Sequence, residues 1–107
     1  MKENMIRSLM VLVACVCLTG VMGFAESGQA VFQAHCQMCH GANGIPNPGM
    51  AKMMGVPSAT DPAFKKLTTA EMFAAVKNGK GKMMAFKSQL TDAQIQAAVS
   101  YFRTLTK

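Results

Sequence analysis

The chain has 107 residues, half of them hydrophobic and 15% charged, with no Trp, a single Tyr and a formal net charge of +6. That composition excludes collagen-like and highly charged disordered chains, and the length admits one domain. The first 25 residues read as an address, not as structure. Lys2 and Arg7 make a basic start, residues 8–22 are almost wholly apolar, and Gly23-Phe24-Ala25 puts small residues at the third and first positions before a cut. This is the pattern of a secretory signal peptide, residues 1–25. The apolar run of about 15 residues is short of the ~20 that span a bilayer, so no retained transmembrane helix is expected. Leu12-Val13-Ala14-Cys15 offers an alternative, a lipoprotein box that would make Cys15 a lipid-anchored N-terminus. Against it, the chain stays apolar after Cys15, where a polar linker would be expected.

Cleavage after Ala25 leaves one domain, residues 26–107, with nine Lys and Arg against four Asp and Glu, a net charge of +5. A chain this short buries too little surface to be comfortably stable without a metal, a cofactor or a disulfide. Cys15 and Cys17 leave with the signal peptide, so only Cys36 and Cys39 remain.

Ser27 is placed to cap a first helix over 28–38, with Val31, Phe32 and Cys36 on one side. That helix runs into Cys36-Gln37-Met38-Cys39-His40, a C-x-x-C-H motif. A zinc site would need a second knuckle, but the two Cys and two His all lie within residues 35–40. A thioredoxin-like pair would need βαβ patterning, and no strand-like alternation is visible. The third reading is covalent haem attachment. Two thiols three apart on one turn can each add to a vinyl group of the porphyrin, with His40 pointing its imidazole at the iron. Export agrees with this reading, because haem of this type is joined to its protein outside the cytoplasm.

Residues 41–58 read as loop, punctuated by Gly41, Gly44, Pro46, Pro48, Gly49, Gly55 and Pro57. Met50, Met53 and Met54 fall in that stretch, where they can cover a haem edge. Asp61-Pro62 predicts a cap and first-turn proline for a short helix through Lys65. Thr68-Thr69-Ala70-Glu71 is a capping box, with Leu67 set to staple onto Met72, and its helix stops at Gly79. After the flexible Asn78-Gly79-Lys80-Gly81-Lys82 come Met83 and Met84, more than 40 residues beyond His40. A thioether on a glycine-flanked loop can reach the opposite face of the ring, so these two are the candidates for a sixth ligand. Thr91-Asp92-Ala93-Gln94 is a second capping box, with Leu90 and Ile95 as its staple. Ile95, Ala98, Val99, Phe102 and Leu105 then form a helical stripe to the end of the chain.

Cys36-Gln37-Met38-Cys39-His40-Gly41, Gly81-Lys82-Met83-Met84-Ala85-Phe86, Leu90-Thr91-Asp92-Ala93-Gln94-Ile95 and Tyr101-Phe102-Arg103 together resemble a small bacterial mono-haem class I c-type cytochrome. The resemblance covers essentially all of 26–107. It implies an all-α class I cytochrome c fold, three to five short helices wrapped around one covalently attached haem c. Gly28 and Phe32 would cross the C-terminal helix near Ala98 and Tyr101. The family's loop methionine usually precedes a proline, as in Met-Pro-x-Phe. Here Met84 occupies the proline position, so the resemblance favours Met83 as the iron ligand, with Met84 as the alternative. Pro48 loosely matches the proline whose carbonyl receives the ring N–H of the ligating histidine, and Pro46 can serve instead. His35, beside the attachment turn, reads as a surface or packing histidine.

His/Met ligation favours Fe(II), raises the reduction potential and leaves no axial position open to a substrate. The implied function is a periplasmic electron carrier serving redox protein partners, not an enzyme. The alternative is a haem protein with a labile Met ligand that binds small gases or has weak peroxidase activity. Lys80, Lys82 and Lys87 flank Met83, and Lys52, Lys65, Lys66 and Lys77 are candidates for the same side. They are either a solvated basic surface or a ring that steers acidic docking surfaces. Nucleic acid is a poor partner, because the lysines are not interleaved with aromatics.

Overall fold

The computed structural model describes residues 26–107. The expected signal peptide and the Cys15 lipid box lie outside the described residues. Six helical segments follow one another: α1 (Gly28–His35), α2 (Gln37–His40), α3 (Pro48–Met54), α4 (Pro62–Lys66), α5 (Thr69–Asn78) and α6 (Asp92–Leu105). The described residues contain no strand, only an isolated bridge between Lys80 and Met83.

Side chains set the helix starts. Ser27 accepts from the Ala30 amide at 3.1 Å. Asp61 accepts from Ala63 at 2.9 Å, with Pro62 in the first turn of α4. Both capping boxes close in both directions, Thr68 with Glu71 and Thr91 with Gln94. Each cap satisfies an amide that the helix itself leaves unpaired and is worth about 1 kcal/mol.

Two segments differ from the sequence expectation. The first helix does not run unbroken over 28–38: it ends at His35, pauses at Cys36 and resumes as α2. Within 41–58, where only loop was expected, residues 48–54 form α3. Asn47 caps it by accepting from Met50 at 2.8 Å, Pro48 opens it, and it ends at Gly55. These two short pieces, α2 and α3, take the helix count among the described residues to six, above the expected three to five.

The core is a wedge in which α1 and α5 both pack on α6. Val31, Met72, Phe86, Leu90, Ile95, Ala98 and Val99 are its buried side chains, with Leu67 and Phe102 packed against it. Both predicted staples, Leu67 with Met72 and Leu90 with Ile95, therefore sit in one cluster. Arg103 ties the wedge together: its guanidinium donates to the Leu67 carbonyl at 2.9 Å and to the Met72 sulfur at 3.6 Å. Helix α3 stays outside this wedge and touches only α2 among the helices.

The α1–α6 crossing depends on Gly28. A Cβ there would land on the Ala97 carbonyl and lie 3.2 Å from the Tyr101 Cβ. The two backbones approach over Ala97, one residue before the expected Ala98, and the Phe32 and Tyr101 rings meet at 5.3 Å. Gly28→Ala therefore forces the helices apart. Its expected cost is about 1–3 kcal/mol, the range for overpacking a close contact. Denaturant unfolding of the holoprotein measures it, and an unchanged midpoint would show that the crossing yields freely.

Candidate functional site

The motif occupies one turn at the elbow between α1 and α2. The Cys36 amide still donates back to Phe32 at 2.8 Å, closing α1. The Cys36 carbonyl then accepts from Cys39 at 3.3 Å and from His40 at 3.0 Å, which winds the next turn. Residues three apart on a turn share a side, so the two thiols lie along one flank with His40 directly after them. Both cysteines are free. Burial, with Cys39 adding to it, pushes the Cys36 thiol up to about 11. Cys36 is thus a neutral thiol at pH 7, unlike the low-pKa thiolate of a disulfide-exchange pair. Among the described residues no three or more His, Cys, Asp or Glu side chains gather as a zinc knuckle would require.

His40 is held by aromatic rings. Phe102 of α6 meets it edge-on at 5.5 Å between centroids, and Phe32 of α1 lies at 6.5 Å. Burial lowers its pKa, which keeps the imidazole neutral with a lone pair to donate. Its Nδ1 is buried and has no hydrogen-bond partner. Neither the Pro46 nor the Pro48 carbonyl receives it, contrary to the expected support. Pro48 opens α3, so its carbonyl is turned along that helix. His35 is exposed and packs its ring edge 6.4 Å from Phe86, as a packing histidine should.

Met83 sits at the end of a tight turn. Lys80 and Met83 exchange backbone hydrogen bonds of 3.1 and 3.0 Å around Gly81 and Lys82. Gly81 has φ +58 at the first central position, the glycine site of a type II′ turn. The chain then returns along α5, where Phe86 and Lys87 donate to the carbonyls of Val76 and Lys77 at 3.0 and 3.2 Å. The two adjacent methionines part company here: Met83 is half-buried, whereas Met84 is 58% exposed. No hydrogen bond joins Met83 to His40 among the described residues. The two are linked through α3: the Lys82 ammonium donates to the Met53 carbonyl at 3.0 Å, and α3 packs on the α2 turn that carries His40.

The lysines divide. Lys77 is spent on Asp92, at 3.1 Å, and lies over the Phe73 ring. Lys65 lines a recess with Arg103, Thr106 and Lys107 at the C-terminal end of α6. Lys52, Lys80 and Lys87 are exposed. Sequence reasoning missed α3 and the Lys82 contact. Asn47-Pro48 carries the same cap-and-proline signal as Asp61-Pro62, so α3 had a legible start; the Lys82 contact spans 29 residues and has no local signal.

The residues present fit a covalently held haem. They supply two free thiols on one flank, an imidazole with a buried nitrogen lacking a protein partner, and a half-buried thioether on a separate loop. Comparisons with known proteins support haem c as the cofactor. A family model described as cytochrome c oxidase, cbb3-type, subunit III matches residues 23–102. Cytochrome c6 of Leptolyngbya boryana is 42% identical over 77 residues, which cover 72% of this chain and 87% of that protein. Cytochrome c6 of Bryopsis maxima is 32% identical over 79 residues, 74% of this chain and 89% of its own. Among solved structures, the KustC0563 c-type cytochrome superposes with a TM-score of 0.69 at 26% identity, over 77% of this chain and all of that one. The fold is thus that of an all-α haem protein of electron transport. The chain belongs to the cytochrome c family, as a small class I c-type cytochrome.

Proposed function

We propose that this protein is an exported single-electron carrier with one haem c, attached through Cys36 and Cys39 and ligated by His40 and Met83. When bound, the haem supplies a one-electron iron couple. The observation that carries the reading is the single turn that sets Cys36, Cys39 and His40 side by side, with His40 wedged against Phe102. Cys36 and Cys39 would hold the haem through two thioethers, with His40 on the same turn to bind its iron. Met83 brings a soft donor on a turn already closed by two backbone bonds. A thioether opposite an imidazole favours the reduced iron and raises the potential. If His40 and Met83 both hold the iron, no ligand position would be left for a substrate, which supports a carrier and not an enzyme. The cytochrome c6 relatives, matched over most of their length, support the same reading.

Export rests on residues 1–25, the expected signal peptide, with 26–107 as the mature domain. No helix among the described residues is long and apolar enough to cross a membrane. The partners are redox proteins with acidic docking surfaces, addressed by Lys52, Lys80 and Lys87.

Attachment is tested by acid–acetone extraction, which should leave the haem on the polypeptide. Cys36→Ala or Cys39→Ala should cut the holoprotein yield severely, and haem that extracts freely from wild type would refute the covalent reading. For the sixth ligand, Met83→Ala should lower the potential and make the reduced protein take up carbon monoxide readily. Met84→Ala, at the exposed neighbour, should leave both nearly as in wild type. Exchanged phenotypes would move the ligand to Met84. The charge reading predicts that changing Lys52, Lys80 and Lys87 together to Gln slows electron transfer with an acidic partner and flattens its salt dependence. Charges bordering the contact act within the ~8 Å Debye length at physiological salt, so Lys65→Gln with Lys107→Gln at the far end of α6 should do little. Arg103, whose guanidinium is built into the wedge, is unsuitable as that control. Equal salt slopes for the triple variant and wild type would reduce these lysines to solvated surface charge.

A further inference from the structure

Residues 79–87 carry the proposed thioether ligand, yet they lack the stiffening that a proline after Met83 would give. Proline fixes φ and narrows the open states of a loop, and Met84 does neither. What holds the loop instead is visible. Its backbone is closed by the Lys80–Met83 pair and pinned to α5 through Phe86 and Lys87. Among the described residues, its one side-chain hydrogen bond to another element is that of Lys82 to the Met53 carbonyl, at 3.0 Å. Met53 lies in the last turn of α3, where carbonyls have no amide of their own helix to accept from and favour a cation. Helix α3 packs in turn on α2, which carries Cys39 and His40.

We propose that Lys82 is a positioning residue, a strap from the Met83 turn to the end of α3 that takes the mechanical place of the missing proline. The strap is a property of the turn; its effect on the iron rests on the reading of Met83 as ligand. Lys82 therefore does not belong with Lys52, Lys80 and Lys87, whose ammonium groups are free to meet a partner. The Met84 amide donates to no carbonyl, so Met84→Pro removes no backbone hydrogen bond. Met83 before it is paired as a bridge residue, which suits the extended backbone required ahead of proline. Stiffness can thus be returned by a second route.

Amide hydrogen exchange in the reduced holoprotein tests this. Lys82→Ala should speed exchange of the Met83 and Phe86 amides about three- to tenfold, the range expected for losing one exposed hydrogen bond, and leave Ile95 and Val99 in α6 unchanged. Lys82→Arg, which can donate to the same carbonyl, should stay within about twofold of wild type. Adding Met84→Pro to Lys82→Ala should restore slow exchange. Carbon monoxide uptake should rise with Lys82→Ala and fall back in the double variant. Unchanged exchange in Lys82→Ala overturns the strap, and so does acceleration that spreads equally to Ile95 and Val99. If exchange responds as expected while carbon monoxide uptake does not, the strap stands and the assignment of Met83 as ligand falls.

Discussion

The close passage of α1 over α6 fixes where everything else lies. Gly28 lets the two backbones meet at Ala97, and that contact aims the C-terminal end of α1 at Phe102. The Cys36 elbow follows directly, so His40 emerges against the Phe102 ring without an anchor of its own. Phe102 also meets Phe32 at 6.1 Å and Phe64 at 5.2 Å, so one side chain of α6 joins α1, α2 and α4. A hydrophobic contact of this kind is undirected in energy but directed in shape, because close-packed rings leave few alternative placements. The His40 ring is therefore positioned by packing, not by a hydrogen bond of its own, and its Nδ1 is left without a partner.

Helix starts were legible because their signals are local. A Thr followed three residues later by Glu or Gln satisfies two amides within one turn, and both such boxes form where expected. The C-x-x-C-H turn was legible for the same reason. The dense glycines and prolines of 41–58 hid α3, since punctuation of that kind marks loops more often than caps. The missed contacts of Arg103 and Lys82 join residues 36 and 29 apart, and nothing in either side chain announces its acceptor. Long-range side-chain bonds to backbone carbonyls depend on where helices end in space, which only the packed fold determines.

Charge shows the same division between composition and placement. A net +5 over residues 26–107 suggests one broad basic field. The fold assigns the cations to separate tasks instead. Lys77 neutralises Asp92 at the start of α6, Arg103 is consumed by the Leu67 carbonyl, and Lys65 keeps company with Lys107. The surface pair at Lys77 is of a class worth about 0–1 kcal/mol, so it trims the field more than it stabilises the fold. The proposed steering then rests on Lys52, Lys80 and Lys87, whose small number makes their field local and strongly screened by salt.

The two proposed axial ligands are built with unequal stiffness. His40 follows directly on the Cys36–Cys39 turn and lies between rings of α1 and α6. Met83 depends on a two-residue turn, two carbonyls at the end of α5 that accept from Phe86 and Lys87, and one lysine. Local opening is cheapest where buried apolar contacts are few, and none of residues 80–84 is buried, with Phe86 the first buried side chain beyond the turn. A carrier needs both ligands to stay in place while an electron passes, since any rearrangement adds to the barrier. The demand for rigidity thus falls on the softer side of the site. It is met by hydrogen bonds to carbonyls at helix ends, which α5 supplies at Val76 and Lys77 and α3 supplies at Met53. Helix α3, outside the hydrophobic wedge and touching only α2, serves this arrangement as an abutment: it contributes little to the core but offers the turn a fixed acceptor tied to the opposite ligand.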